Sequence, residues 1–114
     1  MDQLAAAMSQ DFGHRARQES LLVDVFTVQS AARHAMRHLR AWMKPRRMPT
    51  QLHFLPGRNW LLRQPLGVAG IVSPWNYPYS LAFVPAVAAL AAGNRVMIKP
   101  SELTPATSAW MERL

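Results

Sequence analysis

Two continuously apolar runs, separated by an alanine-rich segment, form the most regular hydrophobic pattern of the chain. The first run is Val68–Val72 and the second covers residues 95–98, and both are rich in β-branched residues. Runs of this kind are typical of strands covered on both faces, so we expect both strands to be buried. The segment between them, residues 80–92, predicts a helix that ends at Gly93-Asn94. The pattern therefore predicts a parallel βαβ unit.

A long amphipathic stripe precedes this unit. Between residues 19 and 44 apolar side chains recur every three or four positions, which predicts one helix of about seven turns that ends at Pro45. Its stripe consists of Leu21, Val25, Val28, Ala32, Met36, Leu39 and Met43. The polar residues off the stripe are expected to face solvent or a partner, and they are Asp24, Ser30, Arg33, His34, Arg37 and Arg40. Residues 1–12 predict only a short, frayed helix that ends before Gly13.

The remaining segments predict a hairpin and a final helix. Two short apolar runs, residues 51–55 and 60–64, flank a Pro-Gly-Arg-Asn loop, a length that β-hairpins use, while residues 44–49 have the prolines and charges of a linker. Residues 104–114 predict a helix with Thr104 as its N-cap and Pro105 in its first turn.

These elements predict three parts: a helical segment over residues 1–49, a hairpin over 50–65 and a βαβ-α part over 66–114. Two parallel strands are fewer than a nucleotide-binding half contains, so we expect the chain to be a piece of a longer protein.

The composition of the chain excludes several kinds of functional site. The chain has 114 residues, a formal charge of +7 and no cysteine, which excludes disulfides, thiolate metal ligands and a cysteine nucleophile from these residues. The first residues lack a secretory pattern, and the most apolar window, residues 79–93, is shorter than a membrane span requires. We therefore expect a cytoplasmic protein with no membrane association. His34 and His38 lie four residues apart but have no third ligand at a suitable spacing, so no metal site is predicted.

Polar side chains follow both predicted strands at their carboxyl ends, the edge at which open α/β sheets bind ligands. They are Ser73, Asn76, Lys99, Ser101 and Glu102. Asn76 lies on a stiff, proline-flanked turn, where its amide either donates to a developing oxyanion or bonds its own backbone. Lys99 and Glu102 are either a surface ion pair or a cation and a carboxylate that hold ribose hydroxyls.

Five segments together resemble the NAD(P)-dependent aldehyde dehydrogenase superfamily in their order and spacing. They are Pro-Leu-Gly-Val (65–68), Gly-Ile-Val (70–72), Pro-Trp-Asn-Tyr-Pro (74–78), Ala-Leu-Ala-Ala-Gly-Asn (89–94) and Lys-Pro-Ser-Glu-Leu-Thr-Pro (99–105). Three upstream segments resemble the coniferyl aldehyde dehydrogenase branch: Asp-Phe-Gly (11–13), Trp-Met-Lys-Pro-Arg-Arg (42–47) and Phe-Leu-Pro (54–56).

The resemblance implies an α/β fold, namely part of a Rossmann-like cofactor domain preceded by a long helix and a β-hairpin. Asn76 matches the oxyanion-hole asparagine, and Lys99 and Glu102 match the pair that holds the adenosine ribose. A carboxylate at Glu102 would repel a 2′-phosphate, which favours NAD. The strand-end residues that match the lining of the cofactor cleft are Val72, Ser73, Pro74 and Trp75.

The family resemblance also implies partners and a missing part. The hairpin matches the family's oligomerisation strands, so a homo-oligomer with an aldehyde substrate is expected of the full-length protein. In the family the catalytic cysteine and the general-base glutamate lie downstream of these segments, so the resemblance implies that the catalytic domain is absent from this chain. The chain alone is therefore expected to be inactive.

An alternative interpretation is a non-catalytic basic helical module that binds nucleic acid or another anionic partner. The side chains that would contact phosphates are Arg33, Arg37, Arg40, Lys44, Arg46 and Arg47. No helix-turn-helix or stacking-aromatic pattern accompanies them, which disfavours nucleic acid.

Overall fold

The computed structural model describes residues 1–114 as an α/β chain in which helices precede a hairpin and a βαβ unit. The helices are α1 (Asp2–Asp11), α2 (Arg17–Glu19), a π-helical stretch (Ser20–Val25), α3 (Phe26–Trp42), a 3-10 turn (Leu52–Phe54), α4 (Ser80–Ala91) and α5 (Pro105–Met111). The strands are β1 (Arg46–Met48), β2 (Asn59–Leu61), β3 (Val68–Val72) and β4 (Arg95–Lys99). No helix combines the length and the apolar character that crossing a bilayer requires.

The long helix predicted over residues 19–44 is present, because α2, the π-helical stretch and α3 follow one another without a break from residue 17 to residue 42. Only the first part of its apolar stripe is buried: Val25 and Val28 are buried, whereas Met36 is 70% exposed. The expectation that Asp24 faces solvent or a partner is wrong, since its side chain is fully buried. Hydrogen bonds to both carboxylate oxygens make that burial possible.

The small core lies where α1 meets the long helix. Leu4 and Met8 are fully buried and contact buried Val25, and Tyr79 and Trp110 pack against these three residues. The prediction of a frayed N-terminal helix is therefore wrong. Helix α1 packs against α5, and this tertiary contact stabilises a helix too short to be stable by itself.

The hairpin differs from the predicted one in its first strand. The structure pairs β1 with β2 in antiparallel register, with Arg47 opposite Trp60. Residues 51–55, which the sequence predicts as a strand, contain the 3-10 turn instead, and the predicted linker supplies β1. The hairpin therefore uses residues 46–61 rather than the predicted run of 51–64.

The βαβ unit is confirmed. Strands β3 and β4 are parallel, with Val68 opposite Arg95 and Val72 opposite Lys99, and α4 connects them. The expectation that both strands are buried is wrong, because burial alternates along each of them and Val72 is 78% exposed. Helix α4 contacts both strands, and the alternation shows that only one face of this sheet is covered by the chain.

Helix α5 begins at Pro105 as predicted, but Thr104 does not cap it with its side chain. The Asp11 carboxylate at the end of α1 accepts hydrogen bonds from the backbone N–H groups of Ala106 (2.9 Å) and Thr107 (2.7 Å) instead. The Thr104 hydroxyl donates to the carbonyl of Ser101. The α5 cap is thus a tertiary contact between the two ends of the chain.

Candidate functional site

The carboxyl ends of β3 and β4 lie side by side. Val72 is opposite Lys99 in the register, and the backbone N–H of Ser73 donates to the Lys99 carbonyl at 3.1 Å. Because the strands are parallel, the turn after β3 and the turn after β4 leave the sheet at the same edge. The structure therefore brings the turn that carries Asn76 and the segment that carries Glu102 to one edge, as the sequence predicts.

Asn76 is exposed and its side-chain amide makes no hydrogen bond within the chain. The structure therefore differs from the alternative in which this amide bonds its own turn. The main-chain carbonyl of Asn76 accepts a hydrogen bond from Nη1 of Arg15 at 3.3 Å. The turn is held through its backbone, while both N–H donors of the carboxamide remain available to a ligand.

A buried ion pair, which the sequence analysis missed, underlies this turn. Nη2 of Arg15 donates to Oδ2 of Asp24 at 3.0 Å, and Oδ1 of Asp24 accepts from the backbone N–H of Ser80 at 2.8 Å. Burial raises the pKa of the nearby Tyr79, and the Asp24 charge raises it further. The available signal was one carboxylate inside the apolar run Leu21–Val25, since such a position requires a partner.

Lys99 and Glu102 form an exposed ion pair at the end of β4. Nζ of Lys99 donates to Oε2 of Glu102 at 2.7 Å. This hydrogen bond lowers the pKa of Glu102 below its usual value, with help from a backbone N–H and from the Lys99 charge. The carboxylate is consequently ionised at neutral pH and accessible to a ligand.

A cleft of about 740 Å³ adjoins this ion pair. Lys99, Ser101 and Glu102 line it together with side chains of α4, β4 and α5. Asn76 and residues 72–75 do not line it. The two groups of predicted site residues therefore share an edge of the sheet without sharing this cleft.

Three of the four predicted strand-end residues present accessible side chains. Val72, Pro74 and Trp75 are exposed, and Trp75 lies near the ring of Phe12, with 6.4 Å between the ring centroids. Ser73 is buried, and its hydroxyl has no hydrogen-bond partner. Any contact of Ser73 with a ligand would therefore require rearrangement of this turn.

The residues at this edge fit a nicotinamide dinucleotide in their chemistry. An ionised carboxylate accepts from ribose hydroxyls, an ammonium group donates to them, and exposed apolar strand ends suit the flat surfaces of such a ligand. No group of three or more His, Cys, Asp or Glu side chains is arranged to hold a metal ion. The rings of His34 and His38 are tilted at 31° to each other, with 4.2 Å between their centroids, and Nδ1 of His38 lies 2.8 Å from the His34 carbonyl.

The parallel strands, the crossover helix and the polar edge together define an α/β protein of the class that binds ligands at the carboxyl ends of its strands. The chain belongs to the aldehyde dehydrogenase family, whose family model matches residues 1–114.

Two relatives show how much of such a protein the chain represents. It is 45% identical over 109 residues to a probable coniferyl aldehyde dehydrogenase of Caulobacter vibrioides, covering 93% of this chain and 22% of the relative. It is 44% identical over 112 residues to the coniferyl aldehyde dehydrogenase of a Pseudomonas species, covering 97% of this chain and 23% of the relative. The chain thus spans less than a quarter of the length of these relatives.

Solved structures agree with this assignment. A substrate-bound AldH of Staphylococcus aureus superposes with a TM-score of 0.84 at 28% identity, covering 98% of this chain and 27% of that one. PnpE of a Pseudomonas species superposes with a TM-score of 0.74 at 30% identity, covering 96% and 22%. The βαβ unit preceded by a long helix and a hairpin is therefore an aldehyde dehydrogenase fold element.

Proposed function

We propose that this chain is the N-terminal, cofactor-facing part of an NAD-dependent enzyme that oxidises an aldehyde to a carboxylic acid. The observation that supports this most directly is the free carboxamide of Asn76 after β3, at the same sheet edge as the exposed Lys99–Glu102 pair after β4. Family membership supports the reaction class, and these side chains supply a hydrogen-bond donor for an oxyanion and a charged pair for a cofactor.

Asn76 is proposed as the oxyanion-hole donor. When a thiolate adds to an aldehyde, the carbonyl oxygen becomes negatively charged, and a fixed N–H donor stabilises that charge more than it stabilises the neutral carbonyl. A single donor of this kind contributes about 100- to 1000-fold to the rate. The thiolate has to come from polypeptide outside these 114 residues, because the chain contains no cysteine. We therefore propose that the chain alone is inactive.

Lys99 and Glu102 are proposed to hold the adenosine ribose of NAD. The bound cofactor would supply the hydride acceptor, while this chain would orient one end of it. The lowered pKa of Glu102 keeps its carboxylate charged at neutral pH. That charge accepts from the ribose 2′-hydroxyl and repels a 2′-phosphate, which supports a preference for NAD over NADP. Val72, Pro74 and Trp75 are proposed to line the rest of this edge through their exposed side chains, and Ser73 would join them only if the turn rearranged.

The hairpin is proposed as an oligomerisation element of the full-length protein. Its apolar side chains Trp60 and Leu61 are exposed, as is Phe54 in the connecting loop. A two-stranded sheet with exposed apolar residues is stable only when it packs against something else. An aromatic aldehyde such as coniferyl aldehyde is the proposed substrate, because two of the compared relatives carry that name. A cytoplasmic location stays a prediction.

A chimera tests this function. In the chimera, this chain would replace the equivalent segment of the Pseudomonas coniferyl aldehyde dehydrogenase. The downstream part of that enzyme would supply the thiolate that this chain lacks. The proposal predicts formation of NADH from coniferyl aldehyde by the chimera and none by the isolated chain. It also predicts that Glu102→Gln narrows the preference for NAD over NADP. A folded, NAD-binding chimera that oxidises no aldehyde would refute the proposal.

The basic-module alternative has one observation in its favour. Residues 25–101 contain ten Lys and Arg residues and no Asp or Glu. If these basic side chains bound polyanions, a short nucleic acid would bind with an affinity that falls steeply as the salt concentration increases, because each neutralised phosphate releases counterions. Filter binding of a labelled duplex and a labelled single strand at two salt concentrations would decide between the interpretations. Absence of binding at low salt would exclude the module.

A further inference from the structure

We infer that Arg15 is a positioning residue that sets the orientation of Asn76, and that buried Asp24 holds Arg15 in place; the inference rests on the proposed role of Asn76. The turn between β3 and α4 is attached to the helical layer at its middle and at its C-terminal end. The Asn76 carbonyl accepts a hydrogen bond from Arg15, and the Ser80 N–H donates one to Asp24. The two anchors are themselves joined by the ion pair between Nη2 and Oδ2.

The guanidinium of Arg15 is fixed more tightly than a surface arginine. The side chain is 5% exposed, and its central carbon lies 4.9 Å from the centroid of the Phe12 ring and 5.2 Å from that of the Tyr77 ring. Both distances are within the range of cation–π attraction. Tyr77 directly follows Asn76, so the arginine contacts the turn through a ring as well as through a carbonyl.

Only a planar fork can make both polar contacts at once. Two different nitrogens of Arg15 reach the Asn76 carbonyl and the Asp24 carboxylate, at 3.3 Å and 3.0 Å. A lysine ammonium keeps the charge for Asp24 but presents its donors from a single nitrogen. The ion pair and the hold on the Asn76 carbonyl are therefore separable by substitution.

That separation matters because removing one partner of a buried ion pair destabilises the fold, whatever else that partner does. Removing Arg15 leaves an uncompensated buried carboxylate, which would lower stability whether or not the arginine positions anything. A positioning role instead predicts a change confined to the Asn76 turn in a variant that keeps the charge. The carboxamide of Asn76 follows its own backbone, so a shifted carbonyl moves the donor that the proposed reaction uses.

The test uses the full 114-residue chain and nuclear magnetic resonance. Asn59, Asn76 and Asn94 are its only asparagines, so carbonyl-labelled asparagine gives three peaks through the amides of the following residues. Oδ1 of Asn94 accepts hydrogen bonds from the N–H groups of Leu66 and Gly67, and this residue, at the opposite end of the parallel strands from the Asn76 turn, serves as an internal control. In Arg15→Gln and in Arg15→Lys we expect the Asn76 carbonyl carbon to move upfield, as a carbonyl does on losing a hydrogen bond, while the two other peaks stay in place.

Stability and the second anchor complete the experiment. Arg15→Gln should lower the melting temperature, and Arg15→Lys should lower it by much less. Asp24→Asn should speed hydrogen exchange of the Ser80 amide as well as shift the Asn76 peak. An unmoved Asn76 peak in a folded Arg15→Gln chain would overturn the inference, as would equal movement of all three peaks or unresolved peaks in the unsubstituted chain. These outcomes concern geometry alone, so they are independent of whether the chimera oxidises aldehydes.

Discussion

Replacing Asp11 by alanine should remove the cap of α5 and cost about 2 kcal/mol of folding free energy while α5 stays packed on α1. Each carboxylate oxygen of Asp11 accepts one backbone N–H at the start of α5, at 2.9 Å and 2.7 Å. Loss of a capping side chain costs about 0.5–2 kcal/mol, and a charged acceptor at a helix N-terminus lies at the upper end of that range. Asp11→Asn keeps one acceptor oxygen and should lose about half as much.

Urea unfolding followed by circular dichroism measures this difference. The midpoint should fall while the slope with denaturant stays constant, because the amount of surface exposed on unfolding is unchanged. Gln10→Ala is the matched control, since Gln10 is the exposed neighbour of Asp11 on the same helix and should change stability by less than about 0.5 kcal/mol. An Asp11→Ala chain that unfolds within that margin of the unsubstituted chain would show that the carboxylate does not hold the two ends together.

Three further predictions concern the core, the ion pair and one turn. Met8→Ala should cost about 2–5 kcal/mol in the same urea assay, because Met8 is fully buried in the core; a smaller loss would mean that the cluster collapses around the gap. The stabilising interaction of ionised Glu102 should be present above its unfolded-state pKa and lost as pH falls through its lowered folded-state pKa. A titration followed by the Glu102 carboxyl-carbon shift measures the folded-state pKa, which Lys99→Ala should raise. An unchanged pKa would contradict Lys99 as the cause. Gly93→Ala should destabilise the fold by about 1–2 kcal/mol, because Gly93 follows α4 with a φ of +85°. Gly70→Ala is the control, since a Cβ at Gly70 meets open space and its φ is not positive; equal losses of stability in the two variants would refute this reasoning.

The elements that the sequence predicts well are those whose pattern is local. Val68–Val72, the segment that forms α4 and the second run up to Ile98 each carry their own hydrophobic signal. The parallel direction of the two strands then follows from the helix that connects them. The long helix is likewise a local pattern. The side-by-side arrangement of the turn with Asn76 and the segment with Glu102 then follows from the parallel strands alone.

The errors concern contacts between residues that are distant in sequence. Arg46–Met48 has no strand pattern of its own and becomes β1 only by pairing with Asn59–Leu61. Asp24 lies off the apolar stripe yet is buried, since Arg15 and the N–H of Ser80 satisfy it, and the latter is 56 residues away. The link between Arg15 and Asn76 spans 61 residues, and no periodicity signals it.

The turnover number of the chimera with Asn76→Ala, relative to the unsubstituted chimera, tests the central proposal most directly. Gln18→Ala is its control, because Gln18 is an exposed amide side chain that makes no hydrogen bond in the structure. If Asn76 donates to the oxyanion, kcat for aldehyde oxidation should fall about 100- to 1000-fold in Asn76→Ala and stay unchanged in Gln18→Ala. Equal kcat values for Asn76→Ala and the unsubstituted chimera would contradict the account.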